Sequence, residues 1–166
     1  MLPVFQRMAA YNQWANTQIY DAAAKLDDET RWREVGVFFG SLMGTLNHLL
    51  VTDRIWMKRF TGNGEHPDKL NAILHRDFAE LRAAREIEDK RIIDGVASLT
   101  NETLASKISY MTITRPTAVT ATLWPDLLHV FNHQTHHRGQ AHTALSILTG
   151  QEPPSLDLLF LNRTMG

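Results

Sequence analysis

Four stretches of this 166-residue chain keep a helical period for too long to be strands. The first, "PVFQRMAAYNQWANTQIYDAAAKL", runs from Pro3 to Leu26 with no further glycine or proline. Proline suits a first helical turn, where its missing N–H has no partner to lose. Phe5, Met8, Ala15, Ile19 and Ala22 then recur at spacings of three, four and seven, the mark of one buried face. The second stretch, "LMGTLNHLLVTDRIWMKRF", follows Ser41, a residue type that caps helix N-termini, and ends near Phe60. Its stripe is Leu42, Leu46, Leu49, Asp53, Trp56 and Phe60. A third begins at about Asn71 or Asp77 and ends near Asp94, with Gly95 just beyond it. Its face is Phe78, Leu81, Ala84, Ile87 (or Glu88) and Ile92, and its remaining charges read as solvated. The fourth opens at Trp124-Pro125 and continues to about Leu148, where Gly150 stops it.

The segments between these helices read differently. Asp27 to Gly40 contains "VGVFFG", whose apolar residues and two glycines suggest an ordered loop lying on the body. "TGNGEHPDK" is turn chemistry. "KISYMTITRPTAVTATL" alternates and is rich in Thr, Ile and Val, which predicts a short β-hairpin or extended crossover between Lys107 and Leu123. "SLDLLFLNR" predicts one or two final helical turns. The sum is an all-α four-helix bundle, one domain over 1–166, with a short extended or hairpin insertion before the last long helix. That long connection argues against a plain up-down-up-down order.

The totals exclude several functions. A net charge of −1 gives no electrostatic case for binding nucleic acid or an acidic membrane surface. With no cysteine, neither disulfides nor thiolate metal sites are available, which fits a cytoplasmic protein. No apolar run is long enough to span a membrane, and the N-terminus lacks the pattern of a signal peptide.

The last helix carries "FNHQTHHRGQAH", which holds four of the chain's eight histidines. On a wheel of roughly 100° per residue, Val130, His133, His137, Ala141, Ala144 and Leu148 share one stripe. His133 and His137 therefore stand one turn apart where Val or Leu would be usual. His129 and His136 fall just off that stripe, and His142 points to the opposite side. Two imidazoles at i and i+4 can share a metal ion, but a third ligand must come from another helix. His48 is the one histidine of the second helix, beside its apolar stripe. His66 and His75 lie in or next to the turn-rich connection. Buried histidines satisfied by hydrogen bonds would give the same spacing, so spacing alone does not decide. Glu-x-x-His and HExxH are both absent, which argues against a di-iron bundle and a zincin.

Three blocks resemble the DinB family: "YNQWANTQIYDAAAKL", "GSLMGTLNHLLVTDRIWMKRF" and, most specifically, "LWPDLLHVFNHQTHHRGQAHTALSILTG" with its "NHQTHHRGQ" core. The resemblance covers about residues 1 to 163. It implies an up-down-down-up bundle, usually a homodimer, with a divalent metal, zinc or nickel, held by His48, His133 and His137. It also implies a metal-dependent enzyme that acts as a small-thiol S-transferase or thiol-dependent isomerase, with a low-molecular-weight thiol as co-substrate. Metal-hydroxide hydrolysis is a second enzymatic option. The alternative is a non-enzymatic dimeric bundle, associated with stress or DNA damage, whose metal site is structural or vacant. His136 suits a supporting or dimer-surface role better than a ligand's. Asn12 and Asn16 suit either a hydrogen bond to a ligand imidazole or bonds between helices. Arg138 and Gln140 flank the site, Arg138 off the ligand stripe with an acidic residue as its expected partner. Asp53 reads as a buried partner for Arg or His rather than as a catalytic base. Tyr11, Trp14 and Trp56 read as core aromatics.

Overall fold

A computed structural model describes residues 1–164. Among these described residues the chain is mostly helical, with four long helices: α1 (Leu2–Ala23), α3 (Leu42–Thr61), α4 (Phe78–Ala97) and α6 (Leu123–Thr149). Three short helices, α2 (Asp28–Trp32), α5 (Asn101–Ala105) and α7 (Leu158–Thr164), fill the connections and the C-terminal segment. A two-stranded antiparallel sheet, β1 (Lys107–Met111) and β2 (Ala118–Thr122), pairs Lys107 with Thr122 and Met111 with Ala118. No helix among the described residues is long and apolar enough to cross a membrane.

Local chemistry accounts for most of the boundaries. Ser41 caps α3 by accepting a bond from the Gly44 N–H, and Asp77 caps α4 by accepting one from the Glu80 N–H. Gly62 and Gly150 end α3 and α6 in the left-handed conformation that a side chain disfavours. Within the segment expected to be a loop, Asp27 caps the short helix α2. Helix α4 runs through Gly95 instead of stopping before it, and the flexible end of the Met57 side chain lies over the glycine. A Cβ at Gly95 would come within 2.8 Å of the Met57 Cε on α3.

Helices α1 and α3 each pack between α4 and α6. Tyr20 of α1 stacks on Phe78 and Asn16 bonds Asp89, while Asp53 of α3 faces Arg85 and Thr61 meets Arg91. Phe5 stacks on Phe131 and Asn16 bonds Arg138; on the other side, Trp56 meets His129 and His48 meets His137.

The interior has two apolar ends with a polar layer between them. One end gathers Ile19, Leu46, Leu49, Leu81, Ala144 and Leu145. The other gathers Phe5, Met57, Ile92, Leu104, Leu127 and Phe131. Between them a chain of polar contacts passes through all four long helices. Gln134 of α6 donates to Asp53 of α3, whose Oδ2 lies 2.7 Å from Arg85 Nη1 of α4. Arg85 Nη2 lies 3.1 Å from Asp89 Oδ1, which accepts from Asn16 of α1 at 2.9 Å. Arg138 then donates to the side-chain oxygens of Asn12 and Asn16, so the circuit returns to α6. All seven residues are buried. The charges of α4 are thus not all solvated, because Arg85, Glu88 and Asp89 face inward while Ile87 is 70% exposed. Opposite charges and amide partners at hand make that burial tolerable.

Candidate metal centre

Helix α6 presents two polar pairs at i and i+4, offset by one residue. Gln134 and Arg138 are 0% and 1% exposed and belong to the polar layer. His133 and His137, about 100° round the helix, are only half-buried. The histidines therefore sit at the margin of the buried face, not on its centre line as the wheel suggested, and this leaves them reachable from outside.

His48 arrives from α3, where every residue from Ser41 to Asp53 is buried. No rotation of the helix is needed to bring it inward, because this part of α3 is enclosed on all sides. The enclosing groups come from the connections. Phe39, in the turn between Gly36 and Gly40, stacks on the His48 ring with centroids 3.8 Å apart. From the connection after α3, the Leu70 carbonyl oxygen lies 2.7 Å from His48 Nδ1.

One ligand nitrogen from each of His48, His133 and His137 can be chosen so that all lie within 4.8 Å of one another. The ring centroids are 4.3 Å apart for His133 and His137, and 4.4 Å for His48 and His137. His48 Nδ1–H donates to Leu70, leaving Nε2 buried with no hydrogen-bond partner. A buried nitrogen without a partner is costly unless something else binds it. His137 is fixed in the same manner, its Nδ1 lying 2.9 Å from Gln140 Oε1. Both contacts are of the kind that orient a ligand imidazole through its other nitrogen. Burial pushes His48 down to about 4, against the opposing Leu70 bond, and pushes His133 down to about 3 with help from His137 and His48. His137 is lowered too, mainly by burial. All three rings are thus neutral near pH 7, the form that binds metal. The donor set fits a borderline divalent cation such as zinc or nickel. Among the described residues, no fourth His, Asp or Glu completes the group.

The other candidates fall elsewhere. His136 and His129 are exposed, and His142 turns away to the Pro154 carbonyl. His75 lies by Glu80, 3.6 Å away. Gln140 supports His137 directly. Asn12 and Asn16 bond no ligand imidazole and instead join Asp89 to Arg138. Arg138, for which an acidic partner was expected, is bonded by these two amides and reaches the acid through them. Asp53 has its expected arginine, Arg85, and burial pushes its carboxyl up to about 6 while Arg85 opposes the rise. Tyr11 is buried with its hydroxyl on the Leu156 carbonyl, and Trp14 packs beside it. Trp56 is not a core residue. It lines a cavity of about 840 Å³ that also touches His133, and a second, of about 560 Å³, touches all three histidines.

The profile of the DinB family matches residues 1–165. The chain belongs to the DinB family. Protein DinB of Bacillus subtilis (strain 168) is 28% identical over 169 aligned positions, covering 95% of each chain. For this DinB-family chain the sequence signal that singled out His133 and His137 picked residues that lie together with His48. What it missed were Phe39, the Leu70 carbonyl and the polar partners Gln134, Arg85 and Asp89. A signal for the last three was available, since 12/16, 85/89 and 134/138 are all polar pairs at helical spacing.

Proposed function

We propose that the chain is a divalent-metal-dependent enzyme in which His48, His133 and His137 hold zinc or nickel. The reaction class is small-thiol S-transfer or thiol-dependent isomerisation. One observation carries this reading: three neutral imidazoles, two of them oriented by hydrogen bonds, converge with no fourth protein ligand among the described residues, and cavities open directly on them. A structural site is usually closed by four protein ligands, whereas a catalytic one keeps a position open. A cation bound there supplies positive charge that lowers the pKa of a water or thiol beside it. The chain's own residues do the rest. Leu70 and Gln140 hold two rings in a single orientation, and Phe39 keeps water from one face of His48.

The same reading takes the molecule as one domain, a four-helix bundle in up-down-down-up order. The residue pairings support that order: α1 and α6 run together, as do α3 and α4, and the two pairs oppose each other. It also takes the protein as a cytoplasmic homodimer using a low-molecular-weight thiol.

Metal content of the chelator-rinsed and reloaded protein is the first test, with His137→Ala beside it. The expected result is about one divalent ion per chain, lost in the variant. The loaded protein should then consume glutathione, bacillithiol or mycothiol in the presence of a model electrophile. Metal binding without consumption of any of the three would sink the transferase assignment and leave a metal-holding bundle.

A further inference from the structure

The larger cavity leads away from His133, between α3 and the hairpin, and its walls are of two kinds. Ile55, Trp56, Tyr110, Ile113 and Val119 make it apolar and aromatic. Its charged lining consists of Arg59 and Arg115, with no Asp or Glu at all. In a chain of 18 acidic and 17 basic residues, that one-sided lining creates a local positive field.

Arg59 is held in place before any ligand arrives. Its guanidinium lies 4.5 Å from the Trp56 ring centre and 4.3 Å from that of Tyr110. One nitrogen, Nη2, donates to the Met111 carbonyl at 2.9 Å. Its Nε is buried with no hydrogen-bond partner, and no carboxylate pairs with it among the described residues. The nearby acid, Asp126, is occupied by the Tyr110 hydroxyl at 3.1 Å. A stacked arginine with unused donors, facing an apolar cavity, is the arrangement that holds an anionic group in a fixed place.

We propose that this cavity binds small molecules with an apolar body and one anionic end, the anion resting on Arg59 and the other end reaching His133. The proposal deepens the enzymatic reading, since it names the substrate class of the same site: a carboxylate or sulfonate carried on an apolar or aromatic frame. Arg59 acts there as a specificity-determining residue that orients the molecule.

The test uses two fluorescent probes with one ring system, 8-anilinonaphthalene-1-sulfonate and the uncharged N-phenyl-1-naphthylamine. Their affinities are measured on zinc-loaded and chelator-stripped protein, and the quantity read is the ratio of the two. The wild type should bind one sulfonate per chain in preference to the neutral probe. Arg59→Gln should lower the ratio by about tenfold or more, and Arg59→Lys should hold it within about threefold. Loosening of the hairpin by the substitution would weaken both probes alike and leave the ratio unchanged. An unchanged ratio in Arg59→Gln, or no saturable sulfonate binding, would overturn the proposal. So would a preference that vanishes on stripping zinc yet ignores Arg59, since the cation would then be the anion site. A chain that takes up no zinc but keeps an Arg59-dependent ratio would retire the metalloenzyme reading and keep the anion pocket.

Discussion

His48 Nδ1 lies 2.7 Å from the carbonyl oxygen of Leu70, and that bond decides which nitrogen of the ring is left for a ligand. The partner is a backbone atom in the long connection after α3, so a segment of irregular chain sets the tautomer of a buried helix residue. Four expectations about stability and metal affinity follow from this and neighbouring contacts.

The metal-free protein should lose stability as pH falls from 7 to 5. His48 takes up its proton near pH 6.5 when unfolded but only near 4 when folded. Between those values the unfolded chain binds more protons, so the contribution is full above about pH 6.5 and is lost as pH falls toward 4. For His48 the loss at pH 5 is on the order of 1–2 kcal/mol. Urea midpoints of wild type and His48→Ala at both pH values check this. The variant should show a smaller drop, and an equal drop would mean that the ring is not held neutral.

Gln140→Ala removes the side chain that faces His137 Nδ1. Loss of such an outer partner should weaken metal affinity by about ten- to a hundredfold while leaving the fold intact. Competition against a chromophoric chelator reads the affinity, and circular dichroism checks the helices. An affinity equal to wild type would show that His137 needs no such support.

Gly44 should be among the least replaceable glycines. A Cβ there would lie 2.1 Å from the Phe39 carbonyl oxygen, so the turn that stacks Phe39 on His48 would have to move. Gly44→Ala is expected to destabilise by about 1–3 kcal/mol and to weaken metal uptake. Gly139→Ala is the control, being helical with nothing near its Cβ position, and should stabilise by up to about 1 kcal/mol. Thermal melts of the two, with and without zinc, test the contrast.

Arg85 stands between Asp53 and Asp89 at the centre of the polar layer. Arg85→Met would strand two buried carboxyls, and a loss of about 3–5 kcal/mol is expected in denaturant unfolding at pH 7. Part of it should return at lower pH, where protonation relieves the stranded charge. A loss below about 1 kcal/mol would show that solvent or rearrangement rescues the pair.

The four long helices, the caps at Ser41 and Gly150 and the hairpin were legible because each rests on local chemistry: period, N-cap acceptors, left-handed glycines and alternation. The third helix misled at two points for one reason. Whether Gly95 ends it, and whether Arg85 and Asp89 face water, depends on what α3 and α1 bring alongside, and local sequence holds no record of that. The histidine pair showed in its spacing, but the exact turn of α6 did not. A helical wheel assumes that the most apolar line faces inward, whereas here Gln134 and Arg138 take that line because partners await them. Phe39 and Leu70 had no periodic signal, since they act from connections whose course is fixed only by the packed helices.

The hairpin gives the molecule a division of labour. The metal-binding candidates stand on α3 and α6, pinned by the buried polar circuit, while Tyr110, Ile113, Arg115 and Val119 of the cavity wall come from β1, β2 and the turn between them. That segment enters at Ser106 and hands over to α6 at Leu123, whose N–H bonds the Ser106 carbonyl and closes the excursion like a clasp. New residues, or a longer turn, can be written into the excursion without shifting any of the three imidazoles. On the enzymatic reading proposed above, residues 110–119 are therefore where a change in the bound compound would be written first.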